Sequence, residues 1–528
     1  MKQLPILASV LILAAAGPGQ ELRKPPLSAS IDSAVKGITG YDLRAQAPLT
    51  DDGEFLRRVM LDLAGYPPSA EQTRAFLAEA NPSKRLAKVD EILAGEDWPD
   101  FWSRRFAEVF FGNYHDVTMD TMPKVSKSAS TRIVGDFVRW FGGKLRKDAP
   151  WTEIVQQILE AQGTDTGDPA LAWKLSMYKE EGHAVQFADS AGRQFLGLRL
   201  ICARCHSHPF DKWDVEDYYG LAAFIVRERV RPQGGSSEKD ATDHVEVKQA
   251  GEGEIDIPEL KIDSPIVRAG KPGRAKPVFP YGGGAPPGPG DRMKALSTLM
   301  THKSNTQLPR ALANRVWGWL FARGIVDPVD DFKAEGSPPL SKPLLEALTR
   351  HLMESKYSIK SLVRSICASD AYQRSSRTEK QVTRADLARG GVKPLNGEQL
   401  LNSIRVATMG APKRDTAQVL QMVSTLYPAG AVWCETTALP GNARQALLLR
   451  NNPDIMNWIS SGGVLASIKS APGSPEEKVD EMFLAAVSRP ATESERKRTA
   501  AFLQACPGTG FEDAYWTILN SPEFLTRH

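Results

Sequence analysis

The stretch Phe55 to Leu77, FLRRVMLDLAGYPPSAEQTRAFL, sets the character of the whole chain. Phe55, Leu56, Val59, Met60 and Leu63 recur at the spacing that places them on one face of a helix. Tyr66-Pro67-Pro68-Ser69 then turns the chain, and a second helix closes on Phe76-Leu77. The same reading applies to Val479, Met482, Phe483 and Ala486, which come after Ser474-Pro475-Glu476-Glu477, a capping box with proline at the first helical position. Patterns of this kind cover about Ser83 to Phe111, Ile133 to Leu145, Leu308 to Phe321, Pro343 to Ser355 and Ala443 to Trp458. They predict a mainly α, multi-helix protein.

The middle of the chain departs from this pattern. Val245-Glu246-Val247 and Ile255-Asp256-Ile257 alternate around Gly251-Glu252-Gly253, and Leu260-Lys261-Ile262 continues the alternation, so a small antiparallel β insertion is expected around residues 245–267. Arg268 to Gly290 then holds seven glycines and six prolines in 23 residues, a composition neither helix nor strand tolerates. The expected organisation is a leader at 1–16, a helical region at 28–228, the β insertion and linker at 229–290, and a second helical domain at 291–528. An internal echo runs across these boundaries. The order helix, turn, helix ending Phe76-Leu77, helix and Trp98 recurs from Met482 to Phe524, and Ile366 to Tyr372 repeats its last element.

With 528 residues, 41% hydrophobic and 24% charged, the chain has ample length for a large core and divides into two to four domains. Its 66 basic and 63 acidic side chains leave a formal charge of +3, which does not favour nucleic acid as a partner. Met1-Lys2 precedes an apolar run from Leu4 to Ala16, with Ala14 and Ala16 placed for cleavage before Gly17; this is the pattern of a secretory leader. No cysteine comes after it to carry a lipid, and no other stretch is apolar for long enough to span a membrane, so a soluble periplasmic protein is expected after cleavage. Five cysteines are too few for a disulfide scaffold. Cys367 lies in an apolar helical run and reads as core, Cys506 ends a helix, and Cys434 has no assigned role.

Cys202-Ala203-Arg204-Cys205-His206 is the chemically distinctive element. C-x-x-C-H is the attachment sequence for c-type haem: two thiols one turn apart can bond one edge of the porphyrin, and the adjacent histidine is the proximal ligand. With five cysteines and eight histidines, the pattern arises by chance in roughly one such sequence in a thousand. Two other readings stay open at this point. Cys202, Cys205, His206 and His208 could hold Zn²⁺ or iron in a non-haem enzyme acting on extracellular polysaccharide, or the thiols could form a disulfide in a non-catalytic envelope or assembly protein. Met177, His183 and His115 are candidates for a sixth haem ligand, none singled out by spacing, and a five-coordinate iron stays open. Phe195-Leu196-Gly197-Leu198 is expected to carry a buried helix into the motif. Pro209 ends that helix, Asp211 reads as a turn former, and Asp214 caps the next helix.

The segment FLGLRLICARCHSHPFDKWDVEDYYGLAAF (Phe195 to Phe224), with RRVMLDLAGYPPSAEQTRAFL (Arg57 to Leu77), resembles the planctomycete cytochrome-like domain of unknown function 1549. ANRVWGWLFARGIVDPVDDF (Ala313 to Phe332), SLVRSICASDAYQRSS (Ser361 to Ser376), LAAVSRPATESE (Leu484 to Glu495) and ILNSPEFL (Ile518 to Leu525) resemble its companion, the planctomycete domain of unknown function 1553. The resemblance implies a large exported protein whose cytochrome-like label rests on Cys202, Cys205 and His206. It assigns no reaction; an electron carrier or oxidoreductase with a periplasmic redox partner is the function expected. Many relatives carry a further upstream cytochrome domain, and this chain has a single C-x-x-C-H. In the second half, Asn314, Arg315 and Trp317 on an apolar helix read as a buried hydrogen-bonded network. Gly324 is the expected helix cap, and the Asp327, Asp330, Asp331 turn departs from known calcium loops.

Overall fold

The computed structural model describes residues 23–38, 46–112, 125–178, 183–233, 243–259, 267–284, 290–332, 338–377, 387–412 and 451–528. The leader, His115, Leu260-Lys261-Ile262, Cys434 and the start of the helix expected from Ala443 lie outside the described residues. What is described is mainly α, with small antiparallel sheets of two or three strands. No described helix is long and apolar enough to cross a membrane.

The expected amphipathic stretches form helices at Asp52–Leu63, Lys127–Arg146, Gln307–Phe321, Lys342–Glu354 and Pro475–Val487. Ser83 to Phe111 forms two helices, Lys84–Ala94 and Asp97–Phe111, because the chain leaves helical geometry at Gly95. The caps reflect the side-chain chemistry. Asp51 accepts from the Glu54 amide, and reciprocal boxes close at Ser69 with Gln72, Ser474 with Glu477 and Thr492 with Glu495.

The β insertion is present, with different partners from those the alternation suggests. Val245 and Val247 point inward on strand His244–Gln249, but this strand pairs with Glu228–Gln233, setting Val230 opposite Val247, and takes Gly163–Thr164 on its other edge. Asp256–Ile257 pairs with Gly273–Arg274. The partner strand at 228–233, ERVRPQ, carries three charges and a proline and has little hydrophobic alternation to announce it.

One hydrophobic core runs from Leu27 to Leu387 and takes in helices on both sides of the glycine- and proline-rich segment. At its centre is an aromatic cluster of Trp102, Phe106, Phe110, Phe141, Trp151 and Trp319, in which the Phe106 ring lies 4.8 Å from Phe141 and 4.9 Å from Trp319. Each such ring withdrawn from water contributes roughly 1.5–3 kcal/mol. A second core gathers Leu395 to Phe524 and also includes Leu61.

Helix Asp52–Leu63 meets the C-terminal residues through buried charge. Arg57 donates to the Ala486 and Phe524 carbonyls, both at 3.1 Å. Asp62, fully buried, accepts from Arg527 at 2.6 and 2.9 Å and from Tyr372 Oη at 2.9 Å, and lies 2.9 Å from Lys393 Nζ. The echo read in the sequence also appears in the element order. Helix Asp52–Leu63 and helix Pro475–Val487 are each succeeded by a left-handed residue, Gly65 or Ser488, then by a capping-box helix. Trp98, Tyr372 and Phe524, the aromatic residues closing the three repeats, are all buried.

Candidate functional site

Helix His183–Ala191 runs into a single π-helical turn, Gly192–Leu196, which stops at Gly197 with φ +64°. The helix therefore does not continue through Leu198 into the motif, as the apolar run suggests. Gly197 ends it because its left-handed backbone favours glycine and because an added Cβ would lie 2.6 Å from the Phe332 ring. A π-turn interrupts the regular helical ladder and changes the direction in which the chain leaves the helix. Here the chain leaves the turn through Leu198 and Leu200, both buried in the core, and reaches the surface at Ile201–Arg204, which makes one 3₁₀ turn.

Polar groups from both halves hold this lead-in. Gln194 accepts from Trp173 Nε1 at 2.6 Å and donates to the Val109 carbonyl at 3.0 Å. Arg315 donates to the Gln194 and Arg193 carbonyls, Gln307 to the Leu196 carbonyl at 2.7 Å, and the Phe332 amide to the Gly197 carbonyl at 2.8 Å. The fully buried Asp330 carboxylate accepts from Arg193 at 2.9 Å and from Arg199 at 2.7 Å. Burial raises its pKa, and Arg199 and Arg193 more than offset this, so the carboxyl lies below the usual range. Asn314 donates to the Val326 carbonyl at 2.8 Å and accepts from the Val326 amide, fixing the turn that carries Asp330. Asn314 and Arg315 thus form the expected network, whereas Trp317 stays outside it: its Nε1 is buried with no hydrogen-bond partner among the described residues, and its ring stacks on Phe321. The charge of Asp330 is neutralised by arginines. The left-handed helix cap is Ala322 rather than Gly324; glycine is needed at 324 because a Cβ there would lie 2.1 Å from the Val326 carbonyl oxygen.

On the 3₁₀ turn Ala203 is buried, and Cys202 and Cys205 are exposed free thiols. Cys202 lies within the turn, and Cys205 caps its C-terminal end just past Arg204. Ile201 at 46% and Phe210 at 71% exposure add apolar surface to the same loop. The half-buried His206 places Nδ1 2.8 Å from the Ser207 carbonyl oxygen. A carbonyl can only accept, so Nδ1 carries the hydrogen and Nε2 keeps its lone pair, the tautomer that ligates through Nε2. His208 is the opposite. Its Nδ1 accepts from the Phe210 amide at 3.2 Å, which puts the hydrogen of the neutral ring on Nε2.

The loop is stapled by Ser207 to the Arg268 backbone in both directions and by the His208 amide to the Trp213 carbonyl at 2.7 Å. Asp211 accepts from the Lys212 amide, and Asp214 and Asp217 form the capping box of helix Val215–Ala222, which packs on the 3₁₀ turn. Burial raises the Tyr219 hydroxyl pKa, opposed by a hydrogen bond with Arg204.

Among the described residues, no three or more His, Cys, Asp or Glu side chains are placed to hold a metal ion. Met177 and His183 line a small pocket with Tyr178 and Glu228, which none of the C-x-x-C-H residues lines. Cys367 is fully buried, and burial raises its thiol pKa, as suits a core residue. Sequence reasoning missed the Arg193–Asp330–Arg199 clamp and the π-turn. The clue was the set of polar residues spaced through Ala313 to Phe332, of which Arg315 and Asp330 have partners more than a hundred residues away.

No curated protein and no solved structure is significantly similar to the chain. Residues 30–229 match a family model described as a protein of unknown function, DUF1549, and residues 292–425 match a second, DUF1553. The motif loop lies in the first match and the residues that clamp its lead-in lie in the second. The chain thus carries a match to DUF1549 followed by a match to DUF1553, with Cys202, Cys205 and His206 inside the first.

Proposed function

We propose that this is an exported protein that carries one c-type haem on the Ile201–His208 loop and serves as an electron carrier or oxidoreductase. The observation that carries the reading is the combination of two exposed free thiols, one within and one capping a single 3₁₀ turn, with an imidazole whose Nδ1 hydrogen is held by a carbonyl. Cys202 and Cys205 would hold the haem through thioether bonds, and His206 Nε2 would ligate its iron. Bound haem supplies one-electron chemistry.

The chain's own residues supply the rest. The Ser207 carbonyl sets the imidazole's tautomer, Ile201 and Phe210 offer apolar surface, and the Asp330 clamp holds the lead-in. The leader read at residues 1–16 supports delivery to the periplasm, where a redox partner would be met. Support for a Zn or Fe site at Cys202, Cys205, His206 and His208 is weaker, because His208 presents a hydrogen at Nε2 and uses Nδ1 locally.

The test is production with the cytochrome maturation system, then a denaturing gel stained for haem and an optical spectrum of the native protein. A stained band that is lost when Cys202→Ser and Cys205→Ser are combined is expected. A colourless band overturns the reading. One equivalent of zinc or iron without a Soret band would replace it with the metalloenzyme, and metal-free oxidised thiols with the structural disulfide.

A further inference from the structure

Behind the motif loop, at the junction of the two matched regions, lies a cavity of about 310 Å³. Its volume falls at the lower end of the range for small-molecule sites. Its walls combine rings with cations: Trp213, Tyr281 and Phe332 with Lys212, Arg310 and Lys342. The Trp213 and Tyr281 rings meet edge to face at 5.8 Å, and Lys212 Nζ lies 4.6 Å from the centre of the Trp213 ring.

The charges do not balance. Glu346 is the one acidic residue lining the cavity among the described residues, and it lies 3.9 Å from Lys342. Arg310 has no carboxylate partner among the described residues, and its Nε is buried without a hydrogen-bond acceptor. A guanidinium that lines a cavity without a carboxylate partner leaves its terminal N–H groups for a ligand oxyanion. A flat apolar body would in turn cover the aromatic walls, which a bare inorganic ion cannot do.

We propose that this cavity binds a small organic anion made of one flat ring bearing a carboxylate. Arg310 pairs with the carboxylate, Lys212 adds charge at the mouth, and Trp213 and Tyr281 hold the ring. The site does not depend on haem. It is nonetheless tied to the motif loop, since the Trp213 carbonyl accepts from the His208 amide, and Gln307 and Phe332 bond the Leu196 and Gly197 carbonyls.

The full chain would be titrated calorimetrically with benzoate, with benzyl alcohol, acetate and inorganic phosphate as separate arms. Benzoate should saturate one site, and each of the other three should bind at least about tenfold more weakly. Arg310→Gln should weaken benzoate about tenfold or more with an unchanged melting temperature. Lys212→Gln, at an exposed position, gives the same readout if Arg310→Gln does not fold. No saturation by about 10 mM benzoate overturns the proposal, as does benzoate binding that both variants leave intact. Phosphate binding as tight as benzoate would make it a plain anion site and overturn the assignment of a ring.

Discussion

The Asp330 carboxylate accepts two hydrogen bonds from Arg199, at 2.7 and 3.1 Å, across a sequence separation of 131 residues. Arg199 is three residues before Cys202, so the second matched region grips the backbone that presents the motif. Asp330→Ala would leave Arg193 and Arg199 without this partner and should destabilise the protein by about 2–4 kcal/mol, because the removed carboxylate is buried. Urea unfolding checks this. A loss under about 0.5 kcal/mol, the size typical of ordinary surface substitutions, would show that the clamp contributes little.

Gly197→Ala tests the hinge between the π-turn and the 3₁₀ turn. The residue's φ of +64° and the Phe332 ring 2.6 Å from an added Cβ act together. The expected loss is about 1–3 kcal/mol, with a reduced yield of haem-stained protein from the maturation system. A variant as stable and as well loaded as the native chain would contradict it.

Cys202→Ser and Cys205→Ser should behave oppositely. Both thiols are exposed, so each change should cost no more than about 0.5 kcal/mol, while the double variant should lose all covalent haem. Thermal melts beside haem-stained gels separate the two effects. A large drop in melting temperature of unloaded protein would instead assign the cysteines a structural role.

Buried charge where helix Asp52–Leu63 meets the C-terminal residues sets two pH windows. Burial raises the Asp62 carboxyl, but Arg527 and Lys393 more than offset this and hold it at about 2. Its folded pKa is below the unfolded value of 3.8, so its contribution is present above about pH 4 and is lost as pH falls towards 2. Lys393 is shifted the other way: burial, only partly opposed by Asp62, pushes its amine down to about 7. The unfolded chain then holds more protons between pH 7 and the ordinary value of 10.5, and stability from this group rises with pH across that interval. Lys393→Met should flatten the alkaline rise in a denaturation series run from pH 6 to 10. An unchanged slope would refute the assignment.

The parts of the fold legible in the sequence are those governed by local periodicity. Phe55, Val59 and Met60 face the core as their spacing predicts, and Val245 and Val247 alternate inward. The motif loop was legible too, because C-x-x-C-H is local. What could not be read depends on distant partners. Arg231 gives no sign that its strand will pair with Glu246, and Asp330 has the composition of a turn until Arg193 and Arg199 reach it. The cavity was invisible for the same reason: Trp213, Tyr281 and Arg310 lie on three separate segments.

The continuous core from Leu27 to Leu387 has a practical corollary. Cutting the polypeptide in the glycine-rich stretch between the two matched regions would strip the Trp319 indole from the rings of Trp102 and Phe106 and leave greasy faces on both fragments. Neither fragment would be a fair sample of the whole. Expression trials and assays need the uncut polypeptide, and harmful substitutions in one region should be compensated by changes in the other.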